Sequence, residues 1–104
     1  MRIPSAQNLK ARYGITQDQY KEMLREQGNM CRICLVPFGK EITPCVDHCH
    51  TKSHVRGLLC NHCNLAIGHF YDSPELLTRA RQYLEENYYE KANTRSAGIE
   101  LPRS

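Results

Sequence analysis

The sequence has no run of 18 apolar residues and no apolar segment in its opening stretch, MRIPSAQNLKARYG. Neither a membrane-spanning helix nor secretion by a signal peptide is therefore expected, and the chain reads as soluble and intracellular. It also lacks a strong charge of either sign: 14 Lys and Arg against 11 Asp and Glu give +3 with neutral histidines. That balance is compatible with a polyanionic partner without demanding one. Apolar content is modest, at 40% with a mean hydropathy of -0.62. A chain of 104 residues with this composition forms one domain at most, with a small core that calls for a further staple.

Cysteine is what the chain has in quantity, with six residues. A disulfide framework would need an oxidising compartment, for which no export signal is present. Cys31 and Cys34 form one Cys-x2-Cys knuckle and Cys60 and Cys63 a second, with 25 residues between them, a spacing that suits one tetrahedral Zn2+. Four thiolates leave no open coordination position, so this zinc is a scaffold and cannot be a catalyst. Structural zinc contributes on the order of 10 kcal/mol of folding free energy, so its removal should unfold the middle of the chain. Cys45 and Cys49 belong to neither knuckle and read as small packing residues. A thiol redox protein explains two matched knuckles less well than a metal does.

Residues 1–14 are polar and without clear period, an arm or loop whose Lys10 and Arg12 either reach phosphate or fray. Thr16 as N-cap, the Tyr20, Met23, Leu24 and Gln27 spacing, and Gly28 as a stop predict a helix over 17–27, packed on the zinc module. Pro37 and Gly39 forbid a long element around the first knuckle. Residues 46–50 and 55–59 read as strands joined by a turn at 51–54, and 64–70 as a helix opening at the second knuckle. Knuckle, hairpin, knuckle, helix is the order of a treble-clef zinc fold. Ser73 and Pro74 start a further helix over 74–89. Its stripe of Leu76, Leu77, Ala80, Tyr83, Leu84 and Tyr88 suits a lid over that module better than a dimer face. One domain over 1–90 is expected, with 91–104 a mobile tail.

Chemistry must come from outside the zinc site. Asp47, His48 and Asn64 offer a carboxylate, an imidazole and an amide oxygen on segments pinned to the same zinc. Oxygen ligands from Asp47 and Asn64 suit Mg2+ or another hard divalent cation, and a neutral His48 suits a general base near neutral pH. One difficulty is that neighbours on a regular strand face opposite ways, so the strand must begin or distort at Asp47 and His48. His50, on the same strand face as His48, is open to two roles, contact with phosphate or support of the site. Arg56 and Lys52 flank the turn and are candidates for gripping phosphate. Arg56 is the better one, because a charge inside an apolar strand needs a reason. His54, His62 and His69 lack a partner pattern and read as surface residues.

At these residues the chain resembles the phage recombination endonuclease VII family of the HNH, or His-Me finger, nucleases. The matching stretches are Asp47, His48, Cys49 and His50, then Val55 to Cys60, then Cys63 and Asn64, within a resemblance from about Tyr13 to Tyr83. It implies a small α+β fold, a zinc-stapled treble-clef ββα-metal (HNH) module with flanking N- and C-terminal helices. It also implies Zn2+ on Cys31, Cys34, Cys60 and Cys63, a catalytic Mg2+ on Asp47 and Asn64, and His48 as the base. The implied activity is hydrolysis of double-stranded DNA, branched DNA included, to 5'-phosphate and 3'-hydroxyl ends, in the cytoplasm of a bacterium or phage-infected host. Two departures stand out. Cys49 replaces a second acidic residue, and the chain stops soon after residue 90, where the best known member continues into helices for dimerisation and junction binding. No base-reading helix is evident, so weak sequence preference and salt-sensitive backbone binding are expected, by a monomer or a dimer. The alternative is a non-catalytic zinc module binding nucleic acid or protein, which would have no use for Asp47, His48 and Asn64 together.

Overall fold

Two capping residues decide where the first third of the chain turns helical. The Ser5 hydroxyl accepts the backbone N–H of Asn8 at 3.1 Å, and the Thr16 hydroxyl accepts that of Gln19 at 3.0 Å while the Gln19 side chain closes the reciprocal bond at 2.8 Å. Gly14 ends the first helix at φ 72° and Gly28 follows the second at φ 67°, left-handed conformations that a side chain would strain. The computed structural model describes residues 3–49 and 54–95, with side chains described up to Glu86. Its elements are α1 (Ala6–Tyr13), α2 (Gln17–Glu26), β1 (Cys45–His48), β2 (Val55–Leu59), α3 (Asn61–His69) and α4 (Pro74–Arg95). Four helices and a two-stranded antiparallel sheet make a small α+β architecture. None of the helices among the described residues is long and apolar enough to cross a membrane.

The segment expected to be an arm is α1. Its helical pattern is weak because only Leu9 is buried in its eight residues, so the caps at Ser5 and Gly14 carried the only legible signal. α2 matches its expected span and buries Tyr20 and Leu24. β2 occupies 55–59 as expected, whereas β1 begins one residue early, at Cys45, and ends at His48. α3 starts at Asn61, three residues before the expected point, so Cys63 lies in its first turn.

The chain divides into two compact units, residues 1–68 and 69–104. In the first, one core gathers Leu9, Tyr20, Leu24, Phe38, Leu58 and Leu59 with Cys31, Cys60 and Cys63. Three of these nine buried residues are thiols of the two knuckles, so the apolar core and the cysteine cluster are one structure. Gln27 ties its halves together. Its side-chain amide donates to the carbonyls of Met30 (2.8 Å) and Leu58 (2.9 Å) and accepts the Leu58 N–H at 3.0 Å, pairing like one unit of an extra strand on the outer edge of β2.

In the second unit, the Ser73 hydroxyl accepts the Leu76 N–H at 3.0 Å and Pro74 follows as the first residue of α4. The helix reaches Arg95, six residues beyond the expected end. Exposed ion pairs at helical spacing, such as Arg81 to Glu85 at 2.9 Å, add a few tenths of a kcal/mol each. Leu77, Tyr83 and Leu84 are exposed, so the apolar stripe is not one buried face.

Candidate functional site

The knuckles build the first part of the site. The Cys31 N–H donates to the Val36 carbonyl at 2.9 Å and the Leu35 N–H to the Cys31 carbonyl at 3.0 Å, a tight reversal that puts Leu35 in the left-handed region at φ 67°. The second knuckle spans the end of β2 and the first turn of α3, where the Cys63 N–H donates to the Cys60 sulfur at 3.4 Å. Ile33 N–H does the same to Cys31, also at 3.4 Å. As a result the sulfurs of Cys31, Cys34, Cys60 and Cys63 lie within 4.8 Å of one another, and Cys34 and Cys60 are 3.8 Å apart.

A regular tetrahedron with Zn–S bonds of about 2.3 Å has edges of about 3.8 Å, so the four thiols fit one zinc ion. Their acidities agree with a site built around a cation. Burial alone would raise Cys31, but backbone N–H groups of Cys60, Cys34 and Ile33, with the Cys34 thiol, bring it down to about 6. Burial and the thiols of Cys34, Cys60 and Cys31 push Cys63 up to about 12. Four thiols this close cannot all ionise without a positive charge between them. Cys45 lies outside the cluster and is kept protonated by burial and by its neighbours Cys60 and Cys31. A groove of about 490 Å³ opens beside the knuckles, lined by Cys34, Val36, Ile42, Leu65, Glu41 and His62 among others, but not by Asp47, His48 or Asn64.

The hairpin builds the second part. Cys45 pairs with Leu59, Val46 with Leu58 and Asp47 with Gly57, but His48 pairs with Val55. Two residues of β2 therefore oppose one step of β1, and Arg56 is the extra residue of a β-bulge. The distortion required by the Asp47–His48 pair is present at that step. In a regular ladder Arg56 would share a face with His48 and point away from Asp47. With the bulge, its guanidinium grips the Asp47 carboxylate through two bonds, Nε to Oδ2 at 2.8 Å and Nη2 to Oδ1 at 2.9 Å. Asp47 is buried, at 8% exposure, while the Arg56 side chain is about a third exposed, at 32%. The charge in the apolar strand thus has its reason in Asp47.

Other expected site residues fall as follows. His48 is half-buried, and its imidazole and the Tyr13 ring meet in a T-shaped arrangement, 5.5 Å between centroids and 64° between planes. Tyr13 and Gln27 had no signal as site-shaping residues, because both act through tertiary contacts from helices remote in sequence. Asn64 is half-buried in the first turn of α3, directly after Cys63, and no hydrogen bond among the described residues joins its side chain to Asp47 or His48. His50 and Lys52 lie outside the described residues. His54, His62 and His69 are exposed, as expected for surface residues. The carboxylate of Asp47 and the amide of Asn64 are the hard oxygen donors that suit Mg2+ or Mn2+, while the carboxylate itself is held by Arg56.

Fold and site together define a small α+β protein with a cluster of four thiols that could hold a metal ion, beside a bulged hairpin that carries an Asp-His pair. Residues 6–86 match the family model of recombination endonuclease VII, and the chain belongs to that family. It is similar to the Gene 59 protein of Mycobacterium phage L5, 44% identical over 75 residues, which are 71% of this chain and 46% of that protein. It is equally similar to the Gene 59 protein of Mycobacterium phage D29, 44% identical over 77 residues, 73% of this chain and 47% of that protein. The chain thus spans about half the length of these curated relatives. No solved structure matches it.

Proposed function

We propose that the chain is a metal-dependent DNA endonuclease of the HNH, treble-clef ββα-metal type, hydrolysing phosphodiester bonds to 5'-phosphate and 3'-hydroxyl ends. The observation that carries this reading is the family match over residues 6–86, which spans the four thiols and the whole Asp47, His48 and Asn64 set. Zinc held by Cys31, Cys34, Cys60 and Cys63 fixes the end of β2 and the start of α3, and with them the frame of the site. Asp47 and Asn64 would hold Mg2+ or another divalent ion, which would supply positive charge at the phosphate and the leaving oxygen. His48, steadied by the Tyr13 ring, takes the proton of the attacking water, a role worth about 10^2 to 10^4 in rate. His50 either contacts the phosphate or supports the site, and Arg56 and Lys52 contact the DNA backbone.

Binding follows phosphates more than bases, so sequence preference is weak and affinity falls with salt. The substrate is double-stranded DNA, branched DNA included, met in the cytoplasm of a bacterium or an infected host. The test is nicking of supercoiled plasmid by zinc-loaded protein with Mg2+ or with EDTA, zinc retention being confirmed by native mass. Cleavage that needs Mg2+ and disappears in a folded His48→Ala variant is the expected result. A folded wild type that cuts neither plasmid nor branched DNA with Mg2+, Mn2+ or Ni2+ would replace this reading with that of a non-catalytic zinc module.

A further inference from the structure

The bulge gives Asp47 and Arg56 a relation that a regular ladder would forbid. We propose that Arg56 is a latch on the cation site: it holds Asp47 in the absence of DNA and is drawn onto a backbone phosphate when DNA binds, so that cation and DNA load together. The proposal rests on the nuclease reading, and it adds a coupling that reading does not require.

Two observations carry it. Both oxygens of Asp47 are engaged by one guanidinium at 2.8 and 2.9 Å, the fork geometry of a strong charge-assisted pair. A divalent ion on the same carboxylate would sit beside that fixed positive charge, and two cations sharing one buried carboxylate repel each other strongly where water is scarce. The cation and Arg56 therefore compete for Asp47. The two partners are also unequally placed: Asp47 is buried, whereas the Arg56 side chain is about a third exposed. A planar fork that fits a carboxylate fits a phosphate equally well. A DNA phosphate can therefore reach the part of the Arg56 side chain that is exposed to solvent and draw the guanidinium to it, leaving Asp47 to the ion and supplying oxygen ligands of its own. Because coupling between two ligands is reciprocal, the cation must then strengthen DNA binding by the same factor.

The test is calorimetric titration of Mn2+ into zinc-loaded protein, with and without a short DNA duplex, in a His48→Ala background so that no DNA is consumed. The parent should bind Mn2+ about ten-fold more tightly with the duplex than without it. Arg56→Gln should bind Mn2+ about ten-fold more tightly than the parent in the absence of DNA, and the gain from DNA should shrink below about three-fold. Mn2+ binding by Arg56→Gln that is unchanged or weaker, while Asp47→Asn still abolishes it, would overturn the latch and make Arg56 only a brace for Asp47. Binding that Asp47→Asn does not alter would remove the cation centre itself, and the latch with it. Should Arg56→Gln fail to retain zinc, Arg56→Lys serves instead. Its single ammonium lacks the fork, so it should bind Mn2+ more tightly than the parent, and equal or weaker binding would overturn the latch.

Discussion

Gln27 is the residue whose loss should be felt furthest from its own position. Its amide makes three hydrogen bonds that span the core, to Met30, which precedes Cys31, and to both backbone groups of Leu58, two residues before Cys60. Gln27→Ala orphans the N–H of Leu58, a fully buried residue. The Leu58 carbonyl keeps a second donor, the Arg32 N–H at 3.2 Å, whereas the Met30 carbonyl loses its Gln27 donor. A buried donor left unpaired costs about 1–3 kcal/mol and each further bond about 0.5–1.5 kcal/mol, so the sum is about 3 kcal/mol. In a unit of this size that lowers Tm by on the order of 10 to 20 °C. Urea unfolding at fixed free zinc measures the loss directly, and competition with a chromogenic chelator should show weaker zinc binding in parallel. Gln27→Glu separates the bonds: it keeps the acceptor for Leu58 N–H but turns the donor into an oxygen facing two carbonyls, and should cost at least as much. A loss below about 0.5 kcal/mol in Gln27→Ala would refute the assignment of Gln27 as the tie between the two halves of the core.

Removing zinc with a chelator should collapse the first unit, because three of its nine core residues are the thiols themselves; near-ultraviolet circular dichroism that persists in zinc-free, reduced protein would contradict this. Acid should do the same. The fold holds the Cys31 thiol well below its ordinary value of 9.0, at about 6, so its contribution is present above the ordinary value and is lost as pH falls through about 6. Bound zinc moves that loss lower still, and a zinc-release midpoint at or above neutral pH would run against it. Tyr13→Ala should lower the rate of plasmid nicking about ten-fold or more by freeing the His48 ring, while Tyr13→Phe, which keeps the ring contact, should stay close to wild type. Equal losses in both variants would tie Tyr13 to its hydroxyl and not to the ring.

Much of this protein was determined by short-range signals. The knuckle spacing named the four thiols that the structure gathers within 4.8 Å, because ligand identity and spacing are local properties of the chain. The caps at Thr16 and Ser73 set the starts of α2 and α4, and the β-branched and leucine run of 55–59 set β2, each through its own backbone preferences. The conflict between strand alternation and an Asp-His pair even required a distortion at Asp47 and His48. What alternation could not supply was the form of that distortion: the extra residue lies on the other strand, it is Arg56, and it turns onto Asp47. Tyr13 against His48 and Gln27 against Leu58 were likewise decided only by tertiary structure, since these pairs join residues 35 and 31 positions apart and nothing local marks which partner either takes. Sequence pattern records what a residue prefers with its near neighbours; which distant side chain completes its hydrogen bonds and charge is settled by how the core closes around the thiols.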